Sequence, residues 1–418
     1  MGWGGNGAVG GARTEPDKRA DDPWQFAIAG VGPRRWLALG DAPALGLPVR
    51  AVRDRWQVRL PAVGFQAAAA TALQKWQAWR DAGLAVAGYL GYDLGAALEG
   101  VPPVPRRGPL PDADLCAFAE RDLQALTLPP VSPQTALPLP QAFVDQQQAF
   151  LAQVAAALAA IRAGEVYQVN LSVAAACAIA DNPSLPRLLA GVMAVQPVPL
   201  ALVWQGLETT VVSASMEPFL RVVGPRVQTR PIKGTAARAA EPDRDRELAR
   251  RLAASRKERA ENTMIVDMAR NDLQRAAHWQ SVGVAALCEP TPYSTLWHLE
   301  SEVHATLREP RDRKGLFAAT LPPASVTGCP KIQATRLIAR LESRWRGPYC
   351  GALGLELQDG RLDLAVGIRQ LWLQPGQATL HVGAGIVAQS QPAKEWRELC
   401  LKAEGALRLL ATVAVEPG

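Results

Sequence analysis

The rhythm of apolar and polar positions changes several times along the chain, and each change marks an element. "QAAAATALQKWQAWRDAG" (66–83) spaces its apolar residues for one helical face and predicts a helix closing on Gly83. "LAVAGYLGYDLG" (84–95) is a continuous apolar run and predicts a buried strand entering a turn. Residues 100–140 are rich in proline ("VPPVPRRGPLPDAD", "LPPVSPQTALPLP") and are expected to form a surface connection, with a boundary near 140. A helix follows in "QAFVDQQQAFLAQVAAALAAIRAGE", ended by Gly164. "VYQVNLSVAAACAI", "ALVWQG", "TTVVSAS" and "FLRVVG" read as strands, and Gly224-Pro225 turns the last into "RVQTRPIKG". One long charged helix is expected from about 242 to 270. Hairpin-like alternation follows over 346–390, and a last helix starts near Pro392. Strands clustered between helices, without a regular βαβ rhythm, predict an α+β fold. No repeat of solenoid period occurs.

Composition narrows the class. The 418 residues are 48% hydrophobic and 20% charged, which is ordinary for one large globular domain or two smaller ones. Residues 1–22 are Gly-rich and then charged, with no apolar signal core, and are expected to be a disordered tail. The remaining chain divides into 23–140 and 141–412. No apolar run reaches membrane-spanning length. The net charge of +6 is spread along the chain without a Lys/Arg block, which argues against a nucleic-acid partner and suits a small acidic ligand. Six widely spaced cysteines form no CxxC pair, so reduced thiols in a cytoplasmic protein are expected.

Candidate chemistry concentrates in a few segments. Lys233 stands in "RPIKGTAAR", stiffened by Pro231 on one side and followed by Gly234 on the other. A lysine amine, with a reference pKa of about 10.4, must be desolvated or set near other cations to act as a nucleophile. A plain anion contact is the commoner role. Glu258 and Glu261, and again Glu395 and Glu398, are three apart on predicted helices and fall on the apolar faces. Buried carboxylates need neutralising, and a hard divalent cation such as Mg²⁺ would do it. Solvated surface pairs are the plainer reading of each motif alone. "SVTGCPK" and "HVGAGIV" are glycine turns that let backbone N–H groups approach a carboxylate, or simply tight turns. Arg369 has the planar guanidinium that suits a carboxylate. His298 is one of four histidines, and a lone histidine is more often structural.

Taken in order, these segments resemble the chorismate-utilising enzymes of the anthranilate synthase and aminodeoxychorismate synthase component I group. The resemblance is carried by "IRAGEVYQVNLS", "SASMEPFLR", "PIKGTAAR", "KERAENTMIVDMARNDLQR", "WHLESEV", "PPASVTGCPK", "RGPYCGALG", "AVGIRQL" and "GAGIVAQSQPAKEWRE", with "GYLGYDL" extending it toward the N-terminus. It implies two facing, mostly antiparallel sheets flanked by helices, interlocked across residue 140, with the active site between them. Anthranilate synthases carry alanine where this chain has Lys233, so the lysine form resembles the aminodeoxychorismate branch.

The resemblance also implies roles. Lys233 would attack chorismate, and Glu217 would protonate the departing hydroxyl. Glu258, Glu261, Glu395 and Glu398 would hold Mg²⁺. His298, Thr327, Gly328, Tyr349, Arg369, Gly383, Ala384, Gly385 and Lys402 would bind substrate. Ammonia would come from a separate glutamine amidotransferase subunit. Anthranilate synthase component I and a non-catalytic scaffold relative are the alternatives; Lys233 argues against the first, and the retained acids against the second. Three positions depart from the family: Asn262 replaces a histidine, Pro218 follows Glu217 rather than preceding it, and Cys329 replaces a common alanine.

Overall fold

The computed structural model describes residues 24–29, 44–104, 110–179, 183–206, 209–293, 296–342 and 344–414. The expected N-terminal tail lies outside them. Two antiparallel sheets make the body. The first runs in the order Gly328–Cys329, Gln168–Ala178, Gln377–Val387, Gln370–Gln374, Thr210–Ser215, Leu200–Gln205, Trp24–Ala29, Ala44–Pro48, Gln124–Ala125. The second runs Ile232–Ala237, Leu296–Thr306, Arg226–Thr229, Pro218–Val223, Leu362–Val366, Ala352–Glu356, Ala85–Leu90, Ala113–Phe118, Asp54–Val58. Gly283–Pro292 also pairs with Leu296–Thr306. The α+β architecture expected from the sequence is therefore the one observed.

The sheets pack face to face through large side chains. Phe26 of the first meets Phe118 of the second edge-on at 5.8 Å between ring centroids. The indole of Trp204, in the first sheet, donates to Asp114 Oδ2 in the second at 3.0 Å. Each sheet contains strands from both sides of residue 140, so that position separates sequence regions and not folding units.

Four expectations about local structure need correction. The run after Leu90 continues as a helix, Tyr92–Leu98, rather than a turn. The Asp93 carboxylate within it accepts the backbone N–H groups of Arg346 and Gly347, at 3.0 and 2.7 Å. The proline-rich stretch hides the fully buried strand Ala113–Phe118, because its prolines flank "ADLCAF" and do not interrupt it. The charged helix is two helices, Pro242–Ala254 and Arg256–Ala276. Ser255 ends the first and caps the second, its Oγ accepting from the Glu258 N–H at 3.4 Å. Residues 346–390 form not one hairpin run but four strands, two in each sheet.

The last correction matters for the site. The chain passes from the first sheet to the second at Met216–Glu217, and back from the second to the first at Gly367–Arg369. The two crossings lie side by side: Val366 N–H donates to Glu217 O at 3.0 Å, and Ala214 N–H to Arg369 O at 3.2 Å. Backbone that leaves a sheet there presents its side chains to the space between the sheets.

Candidate active site

That space holds a cavity of about 590 Å³, lined from both sheets and from two helices. Arg256–Ala276 contributes one wall and Pro392–Ala414 another. Twelve of the fifteen residues singled out from the sequence line it: Glu217, Lys233, Glu258, Glu261, His298, Tyr349, Arg369, Gly383, Gly385, Glu395, Glu398 and Lys402.

Lys233 sits in a β-bulge. Ile232 pairs with Glu300 and Thr235 with His298, so Lys233 and Gly234 together oppose the single residue Leu299. Gly234 has φ +87, and a Cβ there would lie 3.0 Å from Glu258 Cβ and 3.1 Å from Glu258 Oε2. Only glycine both takes this backbone shape and lets the acid helix come this close. The Lys233 ammonium reaches Glu261 Oε1 at 3.4 Å. A Cβ on Gly385 would stand 3.2 Å from the same oxygen and 3.4 Å from Lys233 Nζ, so the strand from Gln377 to Val387 forms the floor beneath the pair.

Glu217 occupies the crossing. Ser215 Oγ and its own peptide N–H tie its backbone to the end of the preceding strand, and Pro218 opens the next. The proline shift therefore leaves the glutamate anchored on both sides. Its side chain is 6% exposed. Burial pushes the carboxyl up to about 7, against the opposing pull of a Ser325 hydrogen bond, the Lys233 charge and the Ile232 backbone. Such a group is partly protonated at neutral pH and can give a proton to a leaving oxygen.

The four helix carboxylates share the cavity but not one environment. Glu395 is 7% exposed, whereas the Glu398 side chain is 52% exposed at the rim, so this pair does not point inward as a unit. Burial, and then the like charge of Glu261, raise Glu258; burial raises Glu395, and the Glu398 charge adds to it. Lysines oppose this excess: Lys233 at Glu261, and Lys402 at Glu398 Oε1, 2.6 Å away. Among the described residues, no three His, Cys, Asp or Glu side chains are already gathered at ligating distance. Four carboxylates around one space nevertheless have the chemistry a hard divalent cation takes.

Two further cations, Arg369 and Lys402, line the same cavity, and Lys402 stands beside the acids. Burial lowers the Arg369 guanidinium and the Lys402 ammonium. Arg369 has φ +53, a conformation rare outside glycine, and makes no ion pair with a carboxylate among the described residues. Burial holds the Tyr349 hydroxyl far above its ordinary range, so it stays a neutral donor. His298 is pushed down to about 4 by burial, outweighing a Gly234 backbone bond, and is neutral at pH 7. Its Nδ1 lies 3.0 Å from Thr235 Oγ1.

Three sequence candidates are not brought to the cavity. Thr327 is fully buried, and its hydroxyl donates to Pro323 O at 2.8 Å. Gly328 pairs with Val169 at the edge of the first sheet. Strand alternation turns Ala384 to the face opposite Gly383 and Gly385, into the core. The Gly383 carbonyl is engaged as well, accepting from Lys402 Nζ at 2.7 Å. Sequence reasoning missed Ser325, Lys257, Asn170 and His381, which also line the cavity. His381 lies under Tyr349, ring centroids 3.9 Å apart and 15° from parallel. Its place two residues before Gly383 on one strand face is the signal that could have found it.

A cavity that gathers four helix carboxylates, the cations Lys233, Arg369 and Lys402 and the raised carboxyl of Glu217 is an enzyme-like site for a small acid. The chain belongs to the family of chorismate binding enzymes, which matches residues 61–408. It is 37% identical over 279 residues to an anthranilate synthase component I-like protein of Synechocystis sp., covering 67% of this chain and 57% of that one. It is 40% identical over 254 residues to an aminodeoxychorismate synthase of Streptomyces griseus, covering 60% of this chain and 35% of that one. The match thus spans little more than half of the first relative and about a third of the second. The crystal structure of anthranilate synthase component I from Streptococcus pneumoniae superposes with a TM-score of 0.65 at 26% identity, covering 78% of this chain and 80% of that one.

Proposed function

We propose that the protein is an aminodeoxychorismate synthase component I, converting chorismate and ammonia to 4-amino-4-deoxychorismate and water. The observation that carries this reading is Lys233 and Glu217 in one cavity, the lysine held by a bulge and the glutamate's carboxyl raised to about 7. Arg369, Tyr349 and Lys402 suit the two substrate carboxylates. Lys233, once its ammonium has shed a proton to solvent, adds as the amine at ring C2. The two ring double bonds shift in turn, and the C4–oxygen bond breaks as Glu217 gives its proton to the departing hydroxyl. Ammonia then bonds to C4, the double bonds shift back, and the C2–Lys233 bond breaks. Glu217, now a carboxylate beside C4, can take the proton that the new amine sheds. Mg²⁺ held by Glu258, Glu261, Glu395 and Glu398 would neutralise a substrate carboxylate. A separate glutamine amidotransferase would supply the ammonia.

Anthranilate synthase is the second reading, favoured by the Synechocystis and Streptococcus relatives. Incubation with chorismate, Mg²⁺ and ammonium salt, with and without an aminodeoxychorismate lyase, separates the two. We expect p-aminobenzoate only when the lyase is present. Lys233→Ala is expected to lose about 10³-fold or more in kcat. Anthranilate formed without the lyase would sink the proposal. No product with ammonia would point to an obligatory amidotransferase partner or to a non-catalytic scaffold protein.

A further inference from the structure

The bulge that sets Lys233 has a counterpart on the other side of the same strand. Where Gly283–Pro292 pairs with Leu296–Thr306, Ala286 matches Glu302 and Glu289 matches Glu300. Leu287 and Cys288 therefore oppose the single residue Ser301, and Cys288 takes φ +56. Besides a register shift at Ala285, strand Leu296–Thr306 thus carries one bulge facing Leu299 on one side and one facing Ser301 on the other. A bulge breaks the ladder and leaves polar groups to be satisfied from elsewhere.

One side chain serves both. Asn262, fully buried on the helix Arg256–Ala276, donates from Nδ2 to the Leu299 carbonyl at 3.1 Å. Its Oδ1 accepts the Ser301 hydroxyl at 2.5 Å, and Ser301 Oγ in turn accepts the Cys288 N–H at 2.9 Å. The amide orientation follows from this chain of partners. Leu299 O can only accept. Ser301 Oγ, having accepted from Cys288, has its proton to give. The amide supplies both a donor and an acceptor on one short planar group. Asn262 is also the next residue after Glu261, whose carboxylate meets Lys233.

We propose that Asn262 is a positioning residue for the reaction: by bonding the residues opposite both bulges, it locks the acid helix to the strand pair and so fixes where Lys233 stands. It touches no substrate. The inference rests on the reading of Lys233 as the reacting group, but its structural half can be measured without it.

The test is Asn262→Asp in the full chain. A carboxylate of the same shape keeps the Ser301 contact but cannot donate to Leu299 O. We expect kcat with ammonia to fall about 10- to 100-fold, the size of a displaced reacting group. KM for chorismate should change by less than about threefold, because Arg369, Tyr349 and Lys402 lie on other elements. By hydrogen exchange read by mass spectrometry, the peptide over 230–237 should exchange about tenfold faster or more, while 352–366 in the same sheet stays unchanged. Ser301→Ala, a milder change, should speed exchange over 284–291 first. Unchanged exchange over 230–237 in Asn262→Asp would overturn the inference. So would kcat and KM worsening together in step with lost folded protein, which marks a merely structural residue. If the wild type makes no product that depends on Lys233, the functional reading fails, and the exchange measurement alone decides whether Asn262 sets the bulge.

Discussion

Two clusters of buried charge lie a few residues apart, and they are built differently. Behind the cavity, Arg346 and Glu342, each 1% exposed, meet through two hydrogen bonds of 2.8 and 2.6 Å. Arg346 also donates to Asn170 O at 2.6 Å, and Glu342 accepts the Ser172 N–H at 2.6 Å. Every strong donor and acceptor there is used. Inside the cavity, Lys233 reaches Glu261 only at 3.4 Å, and Arg369 finds no carboxylate among the described residues. Charges closed on one another hold the scaffold. Charges left open await something from outside. Asn170 joins the two, its carbonyl on Arg346 and its side chain in the cavity wall.

The contrast can be broken most severely from the closed side. Glu342→Ala leaves the Arg346 guanidinium buried without its partner, and we expect a loss of about 3–5 kcal/mol in unfolding free energy by urea denaturation. Lys233→Ala, which removes an open charge, should leave the same denaturation midpoint nearly unmoved. Equal losses for both variants would erase the distinction between a spent pair and an available one.

Glu217 belongs to the open set for a different reason, since burial and not a partner shifts it. Its folded-state value of about 7 lies above the ordinary glutamate range, so the folded protein binds this proton more tightly than the unfolded chain does. Stability from this group is therefore full at acid pH and is lost as pH rises from the ordinary carboxylate range toward 7. Glu217→Gln cannot donate to a leaving hydroxyl and should lose about 100-fold or more in kcat. At pH 8 it should gain stability, on the order of 1–3 kcal/mol, because no buried charge remains. At pH 4 that gain should vanish. A variant destabilised at pH 8 would show that the carboxylate is paired in the folded protein after all.

How far the site could be read from sequence follows from how each group is held. Lys233, with its neighbours Pro231 and Gly234, and Glu258 with Glu261 on one helix are local patterns, and these three charged groups line the cavity. Ser325, Asn170 and His381 reach the cavity through strand pairings and sheet crossings between distant segments, which no local spacing announces. Asn262 was visible as a residue but not as a link, because its partners Leu299 and Ser301 lie 37 and 39 positions away. The buried strand Ala113–Phe118 was lost among prolines for a related reason: composition was averaged over a stretch in which six residues mattered. Glu398 shows the limit of helical periodicity, which predicts a face but not how far along that face the protein's cover extends.

Thr327 supplies the finest test of the comparison, because its motif marks it as a substrate contact and the structure places it in the scaffold. Its hydroxyl donates to Pro323 O, and its carbonyl accepts the Asn170 N–H at 2.9 Å. Thr327→Val keeps the shape and the carbonyl but removes the hydroxyl. The Pro323 carbonyl then loses a partner in a buried turn, at a cost of about 1–2 kcal/mol in stability. Asn170, held through the backbone, should stay in the cavity wall, so KM for chorismate should remain within about twofold of wild type. A KM rise of tenfold with unchanged stability would return Thr327 to the substrate side. The small predicted effect is informative because the two assignments differ in which quantity moves: a closed group reports in the unfolding curve, and an open one in the kinetics.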